Sequence, residues 1–184
     1  MSSSPALLPE QTLRLVVMGV SGCGKTTMAK ALAQQLDLAM VDGDDLHLPE
    51  SIRKMSAGIA LEDADRWPWL ERIGHYLEGA SGAGRVVACS ALKRAYRDRI
   101  RQCADGVRFV FLQGEYGLIE ARMSQRVGHY MSPGLLRSQF ETLEPPQADE
   151  PDVLSLHITD TIEALVQQVL AALQQPRAQL SLHP

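Results

Sequence analysis

Short apolar runs alternate with longer amphipathic segments along most of this 184-residue chain. The apolar runs have the length of β-strands, and the longer segments repeat their apolar residues at helical spacing. Strands that alternate with helices favour parallel pairing, because the crossover helices cover both faces of the sheet. The pattern therefore predicts an α/β fold with a five-stranded parallel sheet between layers of helices. The predicted strands are residues 13–18, 39–42, 85–90, 107–112 and 153–158.

The predicted helices cover residues 25–36, 49–56, 62–79, 93–103, 115–126 and 161–174. Both ends of the chain lack this periodicity. Residues 1–11 are rich in Ser and Pro, and the segment 176–184 begins and ends with proline. We therefore predict two terminal tails around one domain, residues 12–175.

Composition limits the class of protein. A hydrophobic content of 45% over 184 residues suits one well-buried core. The formal net charge of -4 provides no overall basic field, so no nucleic-acid partner is predicted. The three cysteines lie far apart and form no C-x-x-C pair, which argues against a disulfide framework or zinc site. With no signal-peptide pattern and no apolar run of roughly 18 residues, we predict a cytoplasmic protein without membrane contact.

Residues 19–26, here called the P-loop, read GVSGCGKT and match the pattern G-x-x-x-x-G-K-[ST] between a strand and a helix. Its glycines let successive N–H groups converge on phosphate oxygens, and the following helix adds its positive end. Lys25 is predicted to reach the β- and γ-phosphates of ATP, and Thr26 to bind Mg²⁺ through its hydroxyl. The predicted nucleotide-binding residues are Gly19, Val20, Ser21, Gly22, Cys23, Gly24, Lys25, Thr26 and Thr27.

The P-loop alone does not separate a kinase from a GTPase, an ATPase motor or a regulatory nucleotide binder. Ligands of a parallel sheet gather at the carboxyl ends of its strands, so the residues there decide between these classes. The second strand ends at Asp42, which Asp44, Asp45 and His47 follow. We predict that Asp44 accepts the proton of a substrate hydroxyl, that Asp42 helps to hold Mg²⁺, and that His47 contacts substrate. The alternative is a polar turn that caps a helix.

The third predicted strand is followed by Lys93 and by a helix that carries Arg97 and Arg101. Lys93 and Arg97 are predicted to bind an anionic substrate, and the alternative for the arginines is a solvated helix face.

Trp67 and Trp69 form either an aromatic shelf for substrate or, as we favour, part of the core. The acidic stretch 144–152 is predicted to be a surface loop.

Arg122 and Arg126 lie four residues apart on one predicted helix, where like charges repel unless an anion lies between them. They are followed by residues 127–134, a Gly- and Pro-containing segment that we predict to be a lid. We expect both arginines to neutralise the transferred phosphoryl group, as catalytic residues beside Lys25 and Asp44. His129 of the lid is assigned to substrate. The alternatives are solvent-exposed arginines paired with Glu120 and an ordinary helix connection.

Six blocks of this sequence together resemble bacterial gluconate kinase: MGVSGCGKTT, DGDDLH, KMSAGIALEDADRWPWL, CSALKRAYRD, GHYMSPGLLRSQFETLE and PPQADE. The resemblance covers about residues 14–172. It implies ATP- and Mg²⁺-dependent phosphorylation of D-gluconate to 6-phosphogluconate. It also implies the three-layer P-loop kinase fold of nucleoside monophosphate and shikimate kinases, with strand order 2-3-1-4-5, an acceptor-binding flap near residues 45–80, the lid, and a homodimer.

Gluconate carries one carboxylate and a row of hydroxyls, so its site needs cations and hydrogen-bonding groups. The cations available are Arg53, Lys54, Arg66 and Lys93. Cys23 departs from the serine more usual in this family. Its side chain is not needed for the N–H groups to bind phosphate, so we expect activity to survive, and the block of ATP by oxidation of Cys23 is a hypothesis to test. Without the family resemblance, the residues also allow two other functions. One is a shikimate-type or nucleotide-type kinase on the same scaffold, and the other is a non-catalytic nucleotide-binding protein.

Overall fold

Five parallel strands form the centre of the fold in the computed structural model, which describes residues 12–125 and 133–175. The strands are β1 (Leu13–Met18), β2 (Ala39–Asp42), β3 (Gly84–Ala88), β4 (Arg108–Gln113) and β5 (Val153–His157). Their order is β2-β3-β1-β4-β5, as the resemblance predicts. Central β1 pairs with β3 on one side and β4 on the other, so that Val16 lies opposite both Val87 and Phe109. Because the strands are parallel, the carboxyl ends of β1, β3 and β4 lie at the same edge of the sheet.

The helices are α1 (Lys25–Leu36), α2 (Pro49–Ser56), α3 (Asp63–Glu78), α4 (Arg94–Cys103), α5 (Tyr116–Ser124), α6 (Pro133–Thr142) and α7 (Ile162–Leu173). A 3₁₀ turn, Gly43–Leu46, follows β2 because the Asp42 side chain accepts from the N–H of Asp44, which matches the alternative of a polar capping turn. The predicted tails and residues 127–132 of the predicted lid lie outside the described residues. Residues 133–134 of that lid begin α6.

Two hydrophobic cores cover the two faces of the sheet. Leu15 and Val17 of β1 point into a core with residues of α1, α5, α6 and α7, whereas Val16 and Met18 point into a core with α3 and α4. All four side chains are fully buried, which explains why β1 is continuously apolar rather than alternating. In the described parts of the chain, no helix is both long and apolar enough to span a bilayer.

Arg97 lies inside the protein and not at a substrate site or on a solvated face, which corrects both sequence expectations. Its side chain is fully buried, and its Nε and Nη2 donate to the Glu150 carboxylate at 2.7 and 2.6 Å. Its Nη1 also donates to the carbonyl oxygen of Glu144 at 3.1 Å. The stretch 144–152 is thus anchored inward at Glu150, a contact over 53 residues that the local sequence pattern does not reveal.

Glu150→Gln is expected to lower the free energy of unfolding by about 3 to 5 kcal/mol, because it leaves the Arg97 charge buried without its partner. Asp149→Asn is the matched control: its exposed pair with Arg94 contributes at most about 1 kcal/mol. Urea unfolding measures both values. Equal losses in the two variants would contradict this role of the buried pair.

The same pair predicts a pH dependence of stability. Burial alone would raise the pKa of Glu150, but hydrogen bonds from Arg97 and Arg101 outweigh it and lower the pKa to about 2. The ordinary value is 4.5, so this stabilisation is complete above that pH and is lost as pH falls towards 2. In Glu150→Gln, that loss is absent from the stability profile between these pH values.

Candidate active site

The P-loop turns sharply between β1 and α1. Gly19 has a φ of 141°, and a Cβ there would lie 2.9 Å from the carbonyl oxygen of Leu112. Gly24 caps α1 in the left-handed region with a φ of 100°. Because these conformations exclude most side chains, the glycines fix the course of the loop. The N–H of Gly19 donates to Ser90 at the end of β3, which ties the loop to the neighbouring strand.

The start of α1 offers an anion-binding site. The first N–H groups of a helix have no partner within it, and here they belong to Lys25, Thr26 and Thr27. The Lys25 ammonium group curls over the loop and donates to the carbonyl oxygen of Val20 at 3.0 Å. The structure therefore brings together the backbone and the lysine that the motif predicts for phosphate binding.

Thr26 and Asp42 meet beside this loop. The Thr26 hydroxyl donates to Asp42 Oδ2 at 3.0 Å, and Asp42 Oδ1 accepts from the N–H of Asp44 at 3.1 Å. The pair joins the start of α1 to the end of β2. Among the described residues, no group of three or more His, Cys, Asp or Glu side chains could hold a metal. A hydroxyl and one carboxylate fit Mg²⁺, which keeps several waters and takes its other ligands from phosphates.

Asp44 and His47 face each other across the 3₁₀ turn, with Nε2 of His47 3.9 Å from Asp44 Oδ1. The Asp44 side chain is 88% exposed, but the protein packed around the turn and the nearby charge of Asp42 both raise the pKa of its carboxyl. Burial lowers the pKa of His47. His47 stacks on Trp69 at 4.3 Å, and its buried Nδ1 has no hydrogen-bond partner among the described residues. A buried polar atom of this kind suits a ligand hydroxyl.

Trp69 is a core residue, as the sequence analysis favours, and it supports the acidic turn. Its side chain is only 4% exposed, and its Nε1 donates to the carbonyl oxygen of Gly43 at 2.7 Å. Gly43 itself packs against β3, where an added Cβ would lie 2.7 Å from the carbonyl oxygen of Ala88. The tryptophan thus fixes both the backbone before Asp44 and the ring of His47.

Two predicted substrate cations, Lys93 and Arg66, meet at one carboxylate. Lys93 Nζ lies 2.9 Å from Asp63 Oδ2, and Arg66 Nη1 lies 3.4 Å from Asp63 Oδ1. The Tyr96 hydroxyl donates to Asp63 at 2.5 Å. Hydrogen bonds from Tyr96 and Lys93 lower the pKa of Asp63. No sequence pattern marks Asp63 and Tyr96 as site residues, although both lie in the blocks that carry the family resemblance.

Other predicted substrate residues do not join this group. Arg53 is 70% exposed at its side chain and pairs only loosely with Glu50, at 3.6 Å. Lys54 is engaged by Asp65 at 2.6 Å, which links α2 to α3. The predicted roles of Arg126 and His129 fall on residues outside the described part of the chain.

A cleft of about 470 Å³ opens on the other side of the P-loop. Arg122 forms part of its wall, and its Nη2 donates to the carbonyl oxygen of Ile158 at 2.7 Å. Ile158 and Asp160, which follow β5, also line it, and no motif in the sequence marks them. The remaining lining residues are Gly22, Cys23, Gly24, Thr27, Leu112, Gln125, Ile162 and Leu165. A concave site of this size beside a phosphate loop suits a nucleoside.

Cys23 is buried below the P-loop. The side chain is 3% exposed and belongs to the core below the P-loop. Burial raises the pKa of its thiol, which reduces the fraction of reactive thiolate. The block of ATP binding by Cys23 oxidation stays a hypothesis, and the burial of the thiol argues against it.

Comparison with known proteins identifies the family. Residues 15–146 match a family model described as an AAA domain. The thermosensitive gluconokinase of Escherichia coli is 45% identical over 158 residues, which cover 83% of each chain. The chain belongs to the gluconokinase family. The resemblance that the six sequence blocks indicate is thereby confirmed.

Solved structures agree with this assignment to the gluconokinase family. A gluconokinase from Sinorhizobium meliloti superimposes with a TM-score of 0.78 at 46% identity, over 88% of this chain and 91% of that one. A sugar kinase from Janibacter superimposes with a TM-score of 0.81 at 39% identity, over 94% of this chain and all of that one. The three-layer P-loop kinase fold is confirmed by both the strand order and these neighbours.

Lys25→Ala is expected to weaken ATP binding strongly and to lower turnover, because it removes the cation above the phosphate-binding N–H groups. Lys30→Ala, on the exposed side of the same helix, is the matched control and should bind ATP like the parent. Isothermal titration with a non-hydrolysable ATP analogue and Mg²⁺ measures both affinities. Unchanged binding in Lys25→Ala would contradict this placement of the phosphates.

Proposed function

We propose that this protein is a gluconokinase, which transfers the γ-phosphate of ATP to D-gluconate and yields 6-phospho-D-gluconate and ADP. The proposal depends mainly on one observation: the phosphate-binding P-loop and the residues predicted to bind the acceptor lie at the same edge of the sheet. The P-loop follows β1, Lys93 follows the neighbouring strand β3, and Asp42 ends β2, which pairs with β3. Membership of the gluconokinase family, in which relatives at 45% identity carry this name, supports the choice of acceptor.

On the donor side, Lys25 and the N-terminal N–H groups of α1 bind and orient the phosphates of ATP. Thr26 and Asp42, whose oxygens are 3.0 Å apart, would hold Mg²⁺ together with water and phosphate oxygens. The bound ion would neutralise negative charge on the phosphates. Arg122 lines the cleft beside the P-loop, and we propose that it contacts ATP. We also propose that Arg126 contacts ATP and that His129 contacts the substrate.

On the acceptor side, Asp44 takes the proton of the 6-hydroxyl as that oxygen bonds to the γ-phosphorus. The bond from the γ-phosphorus to the β–γ bridging oxygen breaks at the same time, and ADP leaves. The raised pKa of Asp44 makes its carboxylate a better proton acceptor than an ordinary aspartate. His47, with its unpaired Nδ1 in the described structure, hydrogen-bonds a hydroxyl of gluconate.

Lys93 and Arg66 bind the carboxylate of gluconate. Both already converge on a carboxylate, that of Asp63, and the Tyr96 hydroxyl adds a third donor. The same arrangement of donors recognises a carboxylate of a ligand, because ammonium and guanidinium groups form charge-assisted hydrogen bonds with it. Gluconate would then replace or share the contacts of Asp63.

The proposal extends to a cytoplasmic homodimer. The cytoplasm supplies ATP, and three free cysteines suit its reducing conditions. The dimer rests on the family resemblance, and light scattering of the purified protein tests it.

ADP release with ATP, Mg²⁺ and a panel of gluconate, shikimate, AMP and simple sugars tests the function. Turnover should depend on gluconate and should be at least about 100-fold lower with the other acceptors, because they lack its pairing of carboxylate and terminal hydroxyl. Gluconate-independent ADP release, or preference for shikimate or AMP, would overturn the proposal.

Asp44→Asn is expected to lower kcat by about 100-fold or more with little effect on ATP affinity, because the amide cannot accept the proton. In the parent, kcat should fall as pH falls through the Asp44 pKa, which lies above its ordinary value of 3.8. That acid limb should be absent from the residual activity of Asp44→Asn. Asp45→Asn, the exposed neighbour, is the matched control. Normal turnover in Asp44→Asn would remove this residue from the mechanism.

A further inference from the structure

A side chain of α6 contacts the backbone of the P-loop. The N–H of Ser21 donates to Oε1 of Gln139 at 2.6 Å, across 118 residues of sequence. Both residues are partly buried. The bond lies within the first turn of the P-loop, between Gly19, whose N–H is held by Ser90, and the N–H groups at the start of α1. Gln139 therefore holds the part of the loop that β3 and α1 leave unsupported.

The segment directly after α6 contacts the acceptor loop, residues 89–93, which follows β3. The N–H of Glu144 donates to the carbonyl oxygen of Leu92 at 2.9 Å, and Glu144 Oε2 accepts from the N–H of Arg94 at 2.7 Å. These two bonds bracket Lys93. The buried Arg97 also donates to the carbonyl oxygen of Glu144. Hence the C-terminal end of α6 and Glu144 just beyond it contact both the P-loop and the loop that carries Lys93.

Packing keeps α6 from moving independently of these contacts. Leu136 is 1% exposed within the core that also contains Cys23 and Ile119. Phe140 packs edge-on against Tyr116 of α5 at 5.3 Å. Gln139 lies near the C-terminal end of α6, and Glu144 lies two residues beyond that end. Because the helix is packed in place, these two residues set the distance between the two loops.

The chemistry of an amide suits position 139. A carboxylate would accept the same N–H, but its negative charge would lie beside the phosphate-binding loop and repel ATP. An apolar side chain would leave the partly buried Ser21 N–H without a partner. Glutamine satisfies the donor and adds no charge.

We infer that Gln139 is a positioning residue for phosphoryl transfer, which acts through the Ser21 N–H to keep the P-loop in register with the acceptor loop. The inference rests on the proposed kinase function. The Ser21 N–H, predicted to bind nucleotide, is occupied by Gln139 in this structure, and Lys25 and the N–H groups at the start of α1 keep their own ligand contacts in the variants. The effect is therefore expected on kcat and not on binding, because the distance between donor and acceptor changes. A misplacement of about 1 Å is enough to reduce a rate by about 100-fold.

The test compares Gln139→Met, which has a similar length but no comparable acceptor, with Gln139→Glu, which retains one. In Gln139→Met, kcat should fall about tenfold or more, while KM for ATP and for gluconate changes less than about threefold. Gln139→Glu should recover at least threefold in kcat relative to Gln139→Met and show a higher KM for ATP. Glu141→Gln, exposed on the same helix, is the matched control and should match the parent.

Amide hydrogen exchange at Ser21 provides a readout that does not depend on activity. Protection in the parent and in Glu141→Gln should be lost in Gln139→Met and regained in Gln139→Glu. If Gln139→Met does not fold, Gln139→Asn, whose amide is one methylene shorter, replaces it in both assays. Unchanged Ser21 exchange, kcat within twofold of the parent, or equal kcat in the Met and Glu variants would overturn the inference. A parent without gluconate-dependent turnover would instead refute the proposed function, and the exchange data would still test the contact.

Discussion

The parallel pairing of β1 with β3 and β4 is the constraint on which the site depends. Parallel strands place their carboxyl ends at the same edge, so the P-loop after β1, the acidic turn after β2 and Lys93 after β3 are brought together by the sheet itself. The N–H of Gly19 bonds to Ser90 and continues this pairing beyond the strands. Donor and acceptor loops are thus neighbours before any side chain contributes.

Buried polar contacts then give these loops their shape. Arg97 satisfies carbonyl oxygens of Ala91, Leu92 and Glu144 while Glu150 neutralises its charge. Ala91 has a φ of 41°, an unfavourable conformation for a residue with a side chain, and the bond from Arg97 helps to hold it there. The arginine thus serves the site from within the core, by fixing the loop that presents Lys93.

Local pattern predicts the parts of this structure that local forces determine. The bounds of β1 and α1 and the P-loop between them follow from apolar runs, helical spacing and glycines. Arg97 was assigned to substrate because charges at helical spacing do not reveal a partner 53 residues away. Asp63 with Lys93, and Gln139 with Ser21, likewise meet only when distant segments pack. The substrate itself came from family resemblance, since charge and spacing alone fit several anionic acceptors.

A crystal structure with gluconate, Mg²⁺ and a non-hydrolysable ATP analogue would show whether one edge of the sheet holds donor and acceptor together. We expect the phosphates against Lys25 and the start of α1, the gluconate carboxylate against Lys93 and Arg66, and the terminal hydroxyl between Asp44 and the γ-phosphate. Gluconate bound away from Asp44, or with its carboxylate towards the P-loop, would contradict this expectation.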